Sequence, residues 1–293
     1  MPVASALPPM AADKWLPQVP LLQFVILLFF SSLFSLPNLP GTPLSSWHGD
    51  VVASLKPRLS HLSIWGCEDL RGEGLRLLLA QGRLTKLDLR QTPDFFSGSE
   101  PSLPHEQEFP SPSSKLQKIS TDDIAGLLSA PICALLSCSL TELEFWGNED
   151  VELERFTKHQ DEALQLLNSL EKITLWECNK LQCLPAGLHK LPNLKRLLIF
   201  NCAAIQSLPK DGLPSSLQEL EIQDCPVIRS MPKECIPISL QKLEITGCPA
   251  IRSLPKVDDL PSSLRELDVF WSKSEELRRR CRKLIGTIPI VRA

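Results

Sequence analysis

The sequence predicts an α/β solenoid, a curved stack of short chain turns with one parallel sheet on its concave side. Three observations predict this fold. The pattern Leu-x-x-Leu-x-Leu recurs along the chain, a small residue often follows it, and Pro recurs in the second half of the late repeats. One such turn cannot bury its own apolar edge, so successive turns must stack into a shared core.

The repeat starts define the expected strands. They are Leu59, Leu84, a degenerate copy at Leu116, Leu140, Leu170, Leu194, Leu217, Leu240 and Leu264. From Leu140 onward the starts lie 30, 24, 23, 23 and 24 residues apart, which is the range of leucine-rich repeats. Alternation of apolar and polar residues within each copy indicates a short strand with one buried face. We therefore expect a leucine-rich-repeat horseshoe whose short parallel sheet lines the concave side.

The convex side is expected to be irregular or 3₁₀-helical in the late repeats, because Pro forbids a long helix there. The recurring pairs are Leu184-Pro185, Leu208-Pro209, Met231-Pro232 and Leu254-Pro255. Two segments interrupt the period. Residues 91–115 are Pro-rich and indicate a surface loop. Residues 148–169 begin with acidic residues and end in a helix-like stretch that lengthens one convex segment.

The predicted organisation has three parts. Residues 1–50 form a poorly structured leader that contains an apolar run over residues 21–36, and residues 51–272 form the solenoid of about nine repeats. Residues 273–293 form a cap. In that cap Ser274 is the expected N-cap of a helix with a buried face at Leu277, Cys281 and Leu284/Ile285, ended by Gly286. Two ion pairs are expected on its exposed face, Glu275–Arg279 and Glu276–Arg280.

The ten cysteines do not indicate a disulfide framework. Five of them fall at one position of the repeat, where a buried thiol fits better than a bridge: Cys67, Cys178, Cys202, Cys225 and Cys248. No Asn-x-Ser/Thr acceptor occurs, so nothing favours a glycosylated secreted chain. The apolar run over residues 21–36 leaves a membrane-associated alternative open, although it is short for a span and poor as a signal peptide.

Motifs for catalysis and cofactor binding are missing from the sequence. There is no Gly-Lys dipeptide for a phosphate loop, no His-Glu-x-x-His, no Cys-x-x-Cys and no Gly-x-Ser-x-Gly. The formal net charge of −3 gives no electrostatic footprint for nucleic acid. We therefore expect a non-catalytic chain with no metal, cofactor or nucleotide.

The concave face is the candidate binding surface, because the x residues of the pattern project from it. The residue after the third apolar position is aromatic in five repeats, and partly exposed aromatic residues beside charges are typical of protein interfaces. The predicted partner-binding residues are Trp65, Trp146, Trp176, Phe200, Phe270, Glu144, Arg196, Glu221 and Glu244. The alternative is that the rings pack on each other and only complete the sheet.

Five stretches resemble a known family. They are PRLSHLSIWGCEDLRGEGL (57–75), LTELEFWGNEDVE (140–152), LPAGLHKLPNLKRL (184–197), DGLPSSLQELEIQDCP (211–226) and LPSSLRELDVFWSKSEELRRRCRKLIGTIPIVRA (260–293). They are similar to the C-terminal leucine-rich repeats of plant nucleotide-binding leucine-rich-repeat disease-resistance proteins. The resemblance covers about residues 51–293.

The resemblance implies a role in the sensing of pathogens inside the plant cell. Repeats of this family restrain a nucleotide-binding switch domain and take part in sensing pathogen effectors. This sequence has no counterpart of that domain, so the expected alternatives are a truncated receptor, a decoy or the product of a damaged gene, and any signalling is expected to need a partner in trans. The implied partners are a pathogen effector, a guarded host protein or a nucleotide-binding receptor, and the implied location is the cytoplasm. The alternative is a membrane-tethered or secreted leucine-rich-repeat receptor-like protein.

Overall fold

The chain forms a leucine-rich-repeat solenoid with one continuous parallel sheet. The computed structural model describes residues 60–67, 70–72, 75, 79, 82–96, 114–148, 153–229 and 231–293. The leader over residues 1–50, with its apolar run, lies outside this part, as do residues 97–113 of the predicted loop. Within the described residues, no helix is both long and apolar enough to cross a bilayer.

Ten short strands pair in chain order, each parallel to the next. They are β1 (His61–Trp65), β2 (Lys86–Arg90), β3 (Lys118–Thr121), β4 (Glu142–Trp146), β5 (Lys172–Trp176), β6 (Arg196–Phe200), β7 (Glu219–Gln223), β8 (Lys242–Thr246), β9 (Glu266–Asp268) and β10 (Ile290–Arg292). Nine of them follow the nine predicted repeat starts, including the degenerate copy at Leu116. The predicted fold class is confirmed.

The register places identical repeat positions side by side. Leu143 pairs with Ile173, Ile173 with Leu197, Leu197 with Leu220, and Leu220 with Leu243. Each of these side chains is at most 3% exposed. The second and fourth residues of every five-residue strand are buried in the same way, so each rung extends one hydrophobic core from repeat to repeat.

The repeat-position cysteines form a second buried column behind the strands. All five are buried and free, which confirms the prediction. The Cys225 thiol donates weakly to the carbonyl oxygens of Gln223, at 3.3 Å, and Ile199, at 3.8 Å. The Cys248 thiol approaches those of Thr246 and Ile222 in the same manner. The column therefore links each turn to the one before it through weak sulfur hydrogen bonds.

The convex side changes character along the chain. In the late repeats it carries 3₁₀ segments at Ala186–Lys190, Lys233–Cys235 and Val257–Asp259, as predicted. Between β3 and β4 it carries two helices that the sequence pattern did not indicate, α1 (Ile124–Leu127) and α2 (Ala130–Leu136). Between β4 and β5 lies α3 (Lys158–Leu164), inside the segment for which a helix was expected.

The beginning of the predicted surface loop is instead part of the core. Phe95 and Phe96 are 3% and 2% exposed, and their rings meet edge to face at 5.1 Å. The backbone of Phe95 accepts a hydrogen bond from Gly72 N, and Phe96 N donates to Asp123 Oδ2 at 2.7 Å. Burying two phenylalanines outweighs the turn propensity of the residues around them.

The C-terminal cap differs from its prediction in three respects. Helix α4 (Glu275–Arg282) begins after Ser274, whose side chain accepts from Leu277 N as expected, but it ends at Arg282 instead of Gly286. Glu275 pairs with Arg278 and Arg282 instead of Arg279, whereas the predicted Glu276–Arg280 pair forms. Of the predicted apolar face, Ile285 is 65% exposed.

The chain then adds the unpredicted strand β10, so the last segment extends the sheet beyond the helix. Its residues pair in parallel with β9, and the repeat pattern that marks the other strands is missing from it.

Candidate functional site

The exposed face of the sheet presents three straight columns of side chains, because alternate residues of each strand point away from the core. The first column holds His61, Lys86, Lys118, Glu142, Lys172, Arg196, Glu219, Lys242, Glu266 and Ile290. The middle column holds Ser63, Asp88, Ser120, Glu144, Thr174, Leu198, Glu221, Glu244, Asp268 and Arg292. The last column contains Trp65, Arg90, Trp146, Trp176, Phe200, Gln223 and Thr246, and Phe270 follows two residues after Asp268.

Four side chains of the last column contact one another in sequence, and we name this group the central stack: Arg90, Trp146, Trp176 and Phe200. The two indole rings are parallel within 10° with centroids 5.3 Å apart, and the Phe200 ring lies 4.6 Å from Trp176. The Arg90 guanidinium carbon sits 3.5 Å from the centre of the Trp146 ring. Each such contact contributes about 0.5–1.5 kcal/mol beyond area burial.

Hydrogen bonds at the middle column fix one end of this stack. Ser120 Oγ accepts from Trp146 Nε1 at 3.0 Å and from Arg90 at 3.1 Å, and Arg90 also pairs with Asp88 at 2.8 Å. The three aromatic rings nevertheless remain partly exposed. Their positions are therefore set before any partner arrives, which lowers the entropic cost of binding.

Two predicted aromatic residues stand apart from the stack. Trp65 is 46% exposed on β1, and Arg90 together with the turn at Asp122 separates it from Trp146. Phe270 is 49% exposed, and the polar Gln223 and Thr246 separate it from Phe200. The five predicted aromatic residues thus form one central group of three, with one further ring separated from this group toward each end of the sheet.

Trp271 was missed because it falls one position outside the column. It is 74% exposed and packs edge to face on Phe270 at 5.0 Å. Arg90 was also missed, although its alignment with the aromatic positions was readable from the sequence.

The predicted charged residues all take part in ion pairs on the exposed face of the sheet, between neighbouring strands or, for Glu244, within β8. Glu144 pairs with Lys118 at 2.6 Å, and Arg196 with Glu219 at 3.4 Å. Glu221 and Glu244 share Lys242, at 2.7 and 3.1 Å. Burial opposes the charge of Lys242, but the hydrogen bonds that its ammonium group donates to the two carboxylates outweigh this effect and raise the pKa of Lys242.

One carboxylate–cation–carboxylate arrangement occurs at three places on this face. Lys118 lies between Glu142 and Glu144, Lys242 between Glu221 and Glu244, and Arg292 between Glu266 and Asp268. The nearest distances are 2.6 to 3.1 Å for all but the 3.9 Å contact of Lys118 with Glu142. Each cluster carries a formal net charge of −1.

A cavity of about 380 Å³ adjoins Trp146 where strands β3 to β5 end. Its lining mixes acidic, amide and apolar side chains: Asp122, Ile124, Trp146, Gly147, Asn148, Leu153, Glu177, Cys178, Asn179, Lys180 and Leu181. Asp122 is held by hydrogen bonds from Thr92 N and from Asn148, and burial raises its pKa. Gly147 is required at this wall, since a Cβ there would lie 1.9 Å from the carbonyl oxygen of Glu177.

The described residues contain no cluster of three or more His, Cys, Asp and Glu side chains that could hold a metal ion. Two of the buried thiols, those of Cys133 and Cys281, are poor nucleophiles. Burial raises the pKa of Cys133 to about 12 and that of Cys281 to about 11, so these thiols stay protonated at neutral pH.

Comparison with known proteins assigns no family to the chain. No protein-family model matches the sequence, and no curated protein matches it. Among solved structures, the chain is similar to the leucine-rich repeat domain of the type III effector XopL. The two are 19% identical, and the match covers 54% of this chain and 70% of that one at a TM-score of 0.28.

Proposed function

We propose that the chain is a non-catalytic recognition module and that its concave face binds a protein. The central stack is the observation that carries this proposal. It offers a rigid, partly exposed aromatic surface in the middle of a sheet rimmed by ion pairs. Interface hot spots have this composition, with large aromatic anchors and Arg surrounded by weaker polar contacts.

The side chains beside the central stack, on the middle column of β5 and β6, are compatible with this role. Among the described residues, Thr174 Oγ1 on the middle column of β5 is buried and has no hydrogen-bond partner. Leu198, next to it on β6, is half-buried. On β5 and β6 the middle and last columns therefore carry no charge, whereas Lys172 and Arg196 keep the first column charged. An apolar centre with a polar rim is the usual arrangement of a protein interface.

For the biological role, we propose the sensing region of a cytoplasmic plant immune receptor. The sequence stretches at 184–197, 211–226 and 260–293 support this role through their resemblance to that family. On this proposal the partner is a pathogen effector, a guarded host protein or a nucleotide-binding receptor. Binding would act by favouring one state of that partner, since differential affinity is what shifts a population.

Affinity capture from plant extract tests the proposal. Wild type, Trp176→Ala and a control Ile238→Ala are immobilised, and captured proteins are quantified by mass spectrometry. Ile238 is 84% exposed and lies outside the strands, so its loss removes apolar surface without touching the concave face. We expect specific proteins to be lost with Trp176→Ala and retained with the control. If both variants capture the wild-type set, with folding verified by circular dichroism, the concave face is not the binding surface.

A further inference from the structure

The concave face is electrically polarised along the solenoid. Over β1 to β6 the three columns hold five cations, Lys86, Arg90, Lys118, Lys172 and Arg196, against three carboxylates, Asp88, Glu142 and Glu144. Over β7 to β10 they hold five carboxylates, Glu219, Glu221, Glu244, Glu266 and Asp268, against two cations, Lys242 and Arg292. The formal net charges are therefore +2 and −3.

The excess negative charge faces the concave side. Lys242 and Arg292 are each shared by two carboxylates, so each cluster keeps one negative charge that its own cation does not balance. Such charges lie near the surface and interact across the face with an effective dielectric well below that of water. A cation placed there by a partner completes the pairing.

The aromatic surface adjoins this acidic half. The central stack ends at Phe200 on β6, and the acidic columns begin on β7, the next strand. At the far end, Phe270 and Trp271 present a second exposed aromatic pair beside Asp268. A site with carboxylates next to aromatic faces attracts Lys and Arg in two ways, because the carboxylates form ion pairs and the rings form cation–π contacts.

We infer that the partner segment is a basic peptide with an apolar anchor, whose anchor rests on the central stack and whose Lys or Arg residues lie over β7 to β10. This inference rests on the proposed function and specifies its ligand. The positive charge of β1 to β6 disfavours the reversed placement, in which the basic residues would lie over those strands. The face therefore distinguishes the two ends of the bound segment by charge.

The strand spacing sets the distance between anchor and charges. Neighbouring strands lie about 4.8 Å apart, and an extended chain advances about 3.3 Å per residue. Glu244 lies three strand steps (about 14 Å) from Trp176 and two residues (about 7 Å) along the strand, which is about 16 Å in all, and Asp268, one strand further, lies about 20 Å away. The basic residues that pair with these carboxylates are therefore expected about five and about six positions from the apolar anchor.

A random peptide display library panned against the protein tests the inference. The acid-poor variant carries Glu219→Gln, Glu221→Gln and Glu266→Gln. A matched control carries Asp211→Asn, Glu234→Gln and Asp258→Asn, three exposed carboxylates outside the strands with the same change in net charge. We expect enriched peptides with an apolar anchor and basic residues at these spacings. The best of them should bind about tenfold more weakly to the acid-poor variant, more weakly in high salt, and unchanged to the control.

The outcomes separate the inference from the function on which it rests. Enriched peptides that need Trp176 but lack a basic bias, or that bind the acid-poor variant as tightly as wild type, overturn the inference and leave the binding surface intact. Peptides that bind Trp176→Ala as well as wild type overturn the proposed concave site itself.

Discussion

Asp123 makes the stability of the solenoid depend on pH in a direction opposite to that of most carboxylates. It is 3% exposed, and it accepts hydrogen bonds from Phe96 N at 2.7 Å and Gly126 N at 2.9 Å. Burial raises the pKa of Asp123 from 3.8 to about 6, against the lowering effect of these hydrogen bonds, and the charges of Asp94 and Asp122 raise it further.

The sign follows from linkage. The folded state favours the neutral acid, so its contribution is fully present below pH 3.8 and is lost as the pH rises through about 6. With about 1.4 kcal/mol for each pH unit between the two pKa values, the loss is about 3 kcal/mol. Asp123→Asn cannot ionise, but its amide loses one acceptor, which costs about 1 kcal/mol. The variant should be less stable than wild type by about 1 kcal/mol near pH 4 and more stable by about 2 kcal/mol near pH 7.5.

Urea unfolding followed by circular dichroism across this pH range measures the difference. Asp211→Asn, at an exposed carboxylate, is the control and should track wild type at every pH. The reversal in order is the diagnostic result, because titrating groups that do not interact with Asp123 contribute equally to wild type and Asp123→Asn and cancel. A difference in unfolding free energy that stays constant from acid to neutral pH would mean that folding does not raise the pKa of Asp123.

Three further predictions concern stability and are checked by the same urea unfolding. Leu220→Ala removes a fully buried rung and should cost about 2–5 kcal/mol, whereas a small cost would mean that the rungs do not share a packed core. Gly147→Ala forces a Cβ against the backbone of Glu177 and should cost at least about 2 kcal/mol of unfolding free energy. A neutral effect would mean that the backbone of Glu177 does not approach Gly147 this closely. Ser274→Ala removes the N-cap acceptor of α4 and should cost about 0.5–2 kcal/mol, while Ser274→Asp should restore most of the loss.

The strands were predictable because their burial repeats every second residue and their spacing repeats along the chain. A parallel stack then fixes the register, so the membership of the three outward columns follows from an alignment of repeats. Arg90 could have been assigned to the aromatic column in this way. What an alignment cannot give is the rotamer of each ring, and therefore whether Trp146 and Trp176 stack or separate.

The missed features depend on contacts between residues far apart in the chain. Phe95 and Phe96 look like loop residues until Gly72 and Asp123 provide their hydrogen-bond partners. Likewise β10 has no repeat motif, and it forms because the free edge of β9 provides hydrogen-bond partners for its backbone. Sequence patterns describe the periodic part of the solenoid, and its irregular parts are fixed by tertiary packing.

Site-specific photocrosslinking in plant cells tests most directly whether the concave face binds a protein, because it captures the partner where it is bound. A photoreactive phenylalanine analogue is placed at Leu198, in the middle of the concave face, or at Ile238, outside the strands. We expect protein adducts at position 198 that disappear when Trp176→Ala is added, with none of them at position 238. Identical adducts at both positions, or adducts at position 198 that persist without the Trp176 ring, would contradict this expectation.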